Sequence, residues 1–135
     1  MKQKLSCQLK VRSYELDGYG HVNHAVFLHY YEQARVEFLE QRELSFGSLL
    51  KEGYIFVIVR AEVDYIKPLC SADIIEITGK IEDTGESSVT LRQEMRKMPS
   101  GELVSKGRFV AVFLDRQTKQ PTGVANSFRK AFFDL

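Results

Sequence analysis

The residues whose types and spacing could do chemistry lie close together near the start of the chain, in the run Asp17-Gly18-Tyr19-Gly20-His21-Val22-Asn23-His24. An ionised aspartate can attack a carbonyl carbon or take a proton from a water beside it. Gly20 lets the backbone adopt conformations closed to other residues. Asn23 has the side chain of a helix N-cap, which accepts a free amide of the first turn. If a helix starts there, the amides of His24, Ala25 and Val26 lack intrahelical acceptors and carry the positive end of the helix dipole. An acyl oxygen docked on them meets preorganised donors, the logic of an oxyanion hole. The leaving group narrows the chemistry. A thiol has a pKa of roughly 8.5, so a thiolate departs without much general-acid help, whereas an amine does not. One carboxylate plus polarising amides therefore suits a thioester and suits a peptide poorly.

Asp17 is the candidate acid, the backbone amides of His24 and Ala25 are the candidate carbonyl-polarising donors, and the His24 side chain is the candidate assistant. His21 and His29 read as hydrogen-bonded histidines near the helix start. A metal site would need Asp17, His21 and His24 to converge, but there is no HExxH pattern and no cysteine ligand nearby, so no metal is expected. Glu32 on the predicted helix could act as a base, but reads better as a partner of Arg35 at one-turn spacing or of a loop amide. Tyr30 and Tyr31 read as core aromatics. Ser13, Ser45 and Ser48 lack the GxSxG context of a serine hydrolase, and the glycines match no nucleotide-binding pattern. Among the cations on or near predicted strands, Arg60, Lys67, Arg92 and Arg108, the candidates for substrate binding are Arg60 and Lys67.

These residues have to be positioned by a few elements. Residues 5–14 alternate apolar and polar, with Leu5, Cys7, Leu9 and Val11 on one side, which predicts a strand. From about 25 to 42 the period changes: Phe27, Tyr30, Tyr31, Ala34 and Phe38 follow a three-and-four spacing, which predicts one long helix with a broad apolar face. Residues 44–53 read as a short helical or looped connector. Strands are expected over 54–66, 73–81, 88–98 and 103–114, separated by the turns EDTGES and Pro99-Ser100-Gly101. The run FVAVFL in the last strand reads as buried on both faces. Residues 124–133 read as a terminal helix carrying Phe128, Phe132 and Phe133. A strand, a long helix and four antiparallel strands make an α+β architecture with one helix against one curved sheet. Such a layer leaves a sheet face and a strand edge to be protected by association.

The bounds are consistent with that. A chain of 135 residues, 44% of them hydrophobic, predicts a single domain spanning 1–135 with its own core. The net charge of +1 has no block of one sign, which argues against nucleic acid as a partner. Cys7 and Cys70 stand outside any metal spacing and fit a reducing, cytoplasmic location. No signal peptide or membrane-spanning window is read, so no membrane insertion is expected.

The pattern D-x-x-G-H-V-N-H-x-x-x-x-x-Y-x-E-x-A-R, carried here by Asp17, Gly20, His21, Val22, Asn23, His24, Tyr30, Glu32, Ala34 and Arg35, resembles the signature of the 4-hydroxybenzoyl-CoA thioesterase family of hot-dog fold proteins. The later run VIVRAEVDYIKPL, Val57 to Leu69, resembles the same family's second strand. The resemblance implies a hot-dog fold, a long central helix wrapped by a five-stranded antiparallel sheet, paired into dimers with joined sheets and often tetramers. It implies an acyl-CoA substrate bound at a subunit boundary, no cofactor, and hydrolysis to free acid and CoA. The family's catalytic aspartate, described as nucleophile or general base in different members, corresponds to Asp17. A histidine found in one subgroup corresponds to His24, and the carbonyl-polarising amide falls at about His24. Two positions depart from many relatives: Ser13 replaces an aromatic, and Leu16 replaces a threonine, which puts acyl recognition in question. An acyl-carrier-protein thioesterase, a hydratase and a non-catalytic acyl-thioester binding module remain open on the same scaffold.

Overall fold

A computed structural model describes residues 4–133. The elements run β1 (Leu5–Lys10), a single 3-10 turn (Ser13–Glu15), α1 (His24–Gln41), α2 (Phe46–Lys51), β2 (Tyr54–Tyr65), β3 (Ile74–Thr84), β4 (Ser88–Met98), β5 (Glu102–Asp115) and α3 (Asn126–Phe132). The strands form one antiparallel sheet in the order β1-β3-β4-β5-β2.

The long helix forms where the three-and-four spacing predicts it. Phe27, Tyr30, Tyr31, Ala34, Phe38 and Leu39 are its buried positions, and they meet an inner sheet face of alternating residues: Ile75 and Ile77 from β3, Val89 and Met95 from β4, Phe109 and Phe113 from β5. Burial of this stripe, more than helix propensity, holds α1 in place. Two glycines permit the close approach. A Cβ on Gly79 would lie 2.5 Å from the Phe38 ring, and one on Gly107 would lie 2.5 Å from the Phe109 ring and 3.4 Å from Tyr31.

Several sequence-based boundaries shift. The first strand ends at Lys10 rather than running on to residue 14, because the chain turns at Ser13–Glu15 to bring Glu15 under the helix. β3 extends to Thr84, so the expected EDTGES turn shrinks to the residues around Gly85. The run FVAVFL is buried on one face only: Phe109, Ala111 and Phe113 face α1, while Val110, Val112 and Leu114 are half-buried on the outer face. α3 begins at Asn126 and places Phe128 and Phe132 in the core, with Phe133 packed just beyond its end.

The outer face of the sheet is polar at its centre. Arg92 and Arg108, paired across β4 and β5, both reach the Glu82 carboxylate at 2.8 Å. These partners, Arg108 foremost, hold the Glu82 carboxyl below the usual glutamate range. Among the described residues the outer edge of β2 carries no paired strand. Both cysteines are free: Cys70 is exposed, and Cys7 is buried with its thiol pushed up to about 12 by desolvation, Glu37 and Glu76 adding to the effect.

Candidate active site

The loop between the 3-10 turn and α1 is a tight antiparallel hairpin. Leu16 bridges Val22. The Asp17 N–H donates to the His21 carbonyl at 2.7 Å, and the Gly20 N–H donates back to the Asp17 carbonyl at 3.2 Å. Gly20 sits at φ +81°, the left-handed region that favours glycine. Two bonds moor the hairpin: Val22 N–H to the carbonyl of Leu69, and Asn23 N–H to the carbonyl of Glu15. This doubling back returns the chain to the helix start only a few residues after Asp17.

The Asp17 carboxylate is exposed, and its Oδ1 accepts the N–H groups of Tyr19 at 2.8 Å and His21 at 3.2 Å. Among the described residues nothing donates to Oδ2. The bond from Tyr19, then that from His21, hold the carboxyl below the usual aspartate range. Asp17 is thus an ionised acid with one oxygen fixed and one unbonded.

The helix start behaves as the Asn23 cap predicts, with one correction. Asn23 Oδ1 accepts the Ala25 N–H at 2.9 Å, and the Asn23 carbonyl accepts the Val26 N–H at 2.9 Å. Of the three amides expected to be free, only that of His24 has no acceptor among the described residues. The cap that starts the helix consumes the Ala25 amide. The His24 ring is exposed and meets the Tyr65 ring edge-on at 6.4 Å. The Tyr65 hydroxyl donates to the His24 carbonyl at 3.0 Å, and its ring packs on Phe27 at 5.1 Å. The last residue of β2 is therefore fastened to the first turn of α1.

Beneath the hairpin lies a carboxylate that sequence reasoning passed over. Glu15 is only 8% exposed and accepts from Arg12 N–H and Arg12 Nη2, both at 2.8 Å, and from the Tyr30 hydroxyl at 2.7 Å. Burial alone pushes its carboxyl up, but the Arg12 and Tyr30 bonds outweigh it and hold the group below the usual range. Nothing in the local pattern marked Glu15, because its partner Tyr30 is 15 residues away. Tyr65 was missed for the same kind of reason: an aromatic at a strand end has no local signal for a helix start across space.

The other candidates scatter. Arg60 is paired with Glu62 at 2.6 Å. Lys67 is exposed just past β2, and among the described residues only its backbone is bonded, to Val104. Arg92 and Arg108 are held by Glu82 on the outer face, away from the hairpin's moorings. Glu32 makes no ion pair with Arg35. Arg35 instead lies 4.4 Å over the Phe109 ring and donates to Gln93 at 2.9 Å, and burial pulls it down to about 10, Glu32 opposing. Tyr30 and Tyr31 are core aromatics as expected, with hydroxyls on Glu15 and Ser105. His29 lies on α1, beside Arg12, Tyr30 and Gln33 in a surface groove. Among the described residues no three His, Cys, Asp or Glu side chains converge as metal ligands. An apolar pocket lined by Phe38, Phe56, Ile58 and Phe128 lies under the far half of α1. The nearest α1 residue lining it, Arg35, is about 16 Å from His24 along the helix axis, so the pocket is not where the candidate chemistry sits.

The family model of the thioesterase-like superfamily matches residues 11–132. This chain belongs to the thioesterase-like superfamily. Long-chain acyl-CoA thioesterase FadM of Escherichia coli (strain K12) is 30% identical over 126 residues, 93% of this chain and 95% of that protein. Acyl-acyl carrier protein thioesterase ATL3, chloroplastic, of Arabidopsis thaliana is also 30% identical over 93% of this chain, which spans 65% of that protein's length. Among solved structures, Slr0204, a 1,4-dihydroxy-2-naphthoyl-CoA thioesterase from Synechocystis, superposes with a TM-score of 0.91 at 18% identity, covering 98% of each chain. That likeness shows the fold. The hot-dog expectation, one long helix wrapped by five antiparallel strands, is borne out for this member of the superfamily.

Proposed function

We propose that this chain is an acyl-CoA thioesterase in which Asp17 acts on the thioester carbonyl while the His24 amide receives the developing oxyanion. The single observation that supports the reading is the hairpin: it ties Asp17, whose carboxylate has one oxygen without a donor among the described residues, to His21, three residues before a helix start whose first amide has no acceptor among those residues. As general base, Asp17 takes a proton from water, the hydroxide adds to the carbonyl carbon, and the tetrahedral intermediate collapses, expelling the CoA thiolate, which takes up the proton. As nucleophile, Asp17 displaces the thiolate to form an anhydride that water then opens. The His24 side chain, exposed at the helix start, is the assisting group. Ala25 has a lesser part, since its amide serves the cap.

The similarity to FadM over nearly all of both chains supports acyl-CoA as the substrate. The similarity to ATL3 favours acyl carrier protein as a second carrier. The signature running from Asp17 to Arg35 supports the narrower 4-hydroxybenzoyl-CoA thioesterase family. Lys67, with no side-chain partner among the described residues, is the better candidate for a substrate phosphate than Arg60, which Glu62 already neutralises. The chain works as one domain. No helix among the described residues is long and apolar enough to cross a membrane, and a cytoplasmic location is proposed.

The site is proposed to be completed by a second copy. Leu28, Ile58, Val59, Tyr65 and Ile66 are exposed around the helix start and along β2, whose outer edge is unpaired. Pairing β2 with its copy would join two sheets and cover these residues in a homodimer, which can pair again into a tetramer.

The test is thiol release from aromatic and aliphatic acyl-CoAs and from acyl carrier protein. Asp17→Asn is expected to fold and to lose at least about a hundredfold in kcat/KM. Parental turnover by that variant would remove Asp17 from the mechanism. Tight binding of acyl-CoA without thiol release would convert the reading to a binding module.

A further inference from the structure

We infer that Glu15 is a positioning residue for this reaction: its buried carboxylate sets where Asp17 stands relative to the first amide of α1. The inference rests on the reading of Asp17 as the reacting acid of a thioester hydrolase.

Burying a charge is costly unless donors surround it, yet the loop that carries Asp17 is rooted on a carboxylate 8% exposed. The donors come from both bodies that have to be aligned. Arg12, two residues past β1 and capping the 3-10 turn, supplies its N–H and a guanidinium N–H, both at 2.8 Å. Tyr30, in the second turn of α1, supplies its hydroxyl at 2.7 Å. The backbone of the same residue accepts from the capping residue, Asn23 N–H to Glu15 carbonyl at 3.0 Å. Glu15 is thus bonded at once to the body of the helix and to its cap.

Asp17 lies two residues further on, and the intervening Leu16 is bridged to Val22. With Glu15 and Leu16 both held, the place of Asp17 relative to the helix start is tied to that of Glu15. Turn chemistry alone needs none of this, since the Asp17 carboxylate already closes its own turn through Tyr19 and His21. What the buried cluster adds is the register between that turn and α1. Misplacing a reacting group by about 1 Å can cost about a hundredfold in rate, so a fixed register has catalytic value beyond stability.

The rival is that the cluster only stabilises the fold. Two variants separate the two: Glu15→Gln, which keeps the shape and removes the charge, and Tyr30→Phe, which removes one bond without touching the loop. Each is assayed for acyl-CoA thiol release well below its unfolding temperature, and for amide hydrogen exchange at Asp17 and Asn23, with Gly85, which donates to Ser88 in the distant β3–β4 turn, as reference. The expected result is kcat lowered about tenfold or more with KM within about twofold of the parent, and at least about tenfold faster exchange at Asp17 and Asn23 with Gly85 unchanged. Parental kcat in the folded variants overturns the proposal, as does a lowered kcat with parental exchange. If the parent releases no thiol from any acyl-CoA, the thioesterase reading fails. The exchange result then decides the positional claim alone: faster exchange supports it, and parental exchange overturns it.

Discussion

Asp17 combines a fixed orientation with an oxygen that has no donor among the described residues. The Tyr19 and His21 amides provide the first and lower its pKa. Protonation would weaken both bonds, so the ionised form is favoured in the folded state. The sign follows: Asp17 stays ionised as pH falls through the ordinary aspartate value of about 3.9, and its contribution is lost only below that. The acid limb of kcat/KM is therefore expected below about pH 4, read in a pH-rate profile over the range where the protein stays folded. A limb centred above that value would mean that Asp17 is not the group being titrated. Much of this residue-scale detail was legible in advance. Asp17, Gly20, Asn23 and His24 are neighbours in sequence, and turn and cap chemistry is local. The allotment of amides was not, because the Asn23 side chain chooses among donors only once the backbone is folded.

At the scale of elements, the site depends on how closely α1 lies on the sheet. Gly107 tests the room left between β5 and α1 for the Phe109 and Tyr31 rings. A methyl there would meet the Phe109 ring at 2.5 Å and Tyr31 at 3.4 Å, and Phe109 is in turn stacked under Arg35. Gly107→Ala is expected to destabilise the fold by about 1–3 kcal/mol through overpacking, measured by denaturant unfolding. Parental stability would show that the Phe109 ring can turn aside. The apolar spacing located α1 to within a residue, and strand alternation located β4 to the residue and β5 to within one at each end. β1 was over-extended because Val11 continues the alternation past the point where the chain leaves the sheet. β5 looked buried on both faces because Val110, Val112 and Leu114 are apolar, although only half-buried.

For the whole molecule, the unpaired edge of β2 and the exposed apolar residues beside it make association the expected state. Val59, 59% exposed at the irregular point of the β2–β5 ladder, is suited to test this. Val59→Asp is expected to shift the protein from dimer to monomer in sedimentation or light scattering, and to reduce thioesterase activity at least about tenfold if the site is shared between copies. A monomeric parent would dismiss the shared site, and a dimeric, active variant would move the interface elsewhere.

By itself the chain determined whatever depends on neighbours in sequence: the helix and its cap, the alternating strands, the glycine-closed loop and the acid within it. Those are short-range patterns whose periods of 3.6 and 2 residues are set by backbone geometry. Only the tertiary structure decided which distant groups meet. Tyr30 reaches back to Glu15, Tyr65 crosses from β2 to the carbonyl of His24, and Arg92 and Arg108 converge on Glu82. Such meetings follow from how the sheet curves around the helix, and no local spacing encodes that.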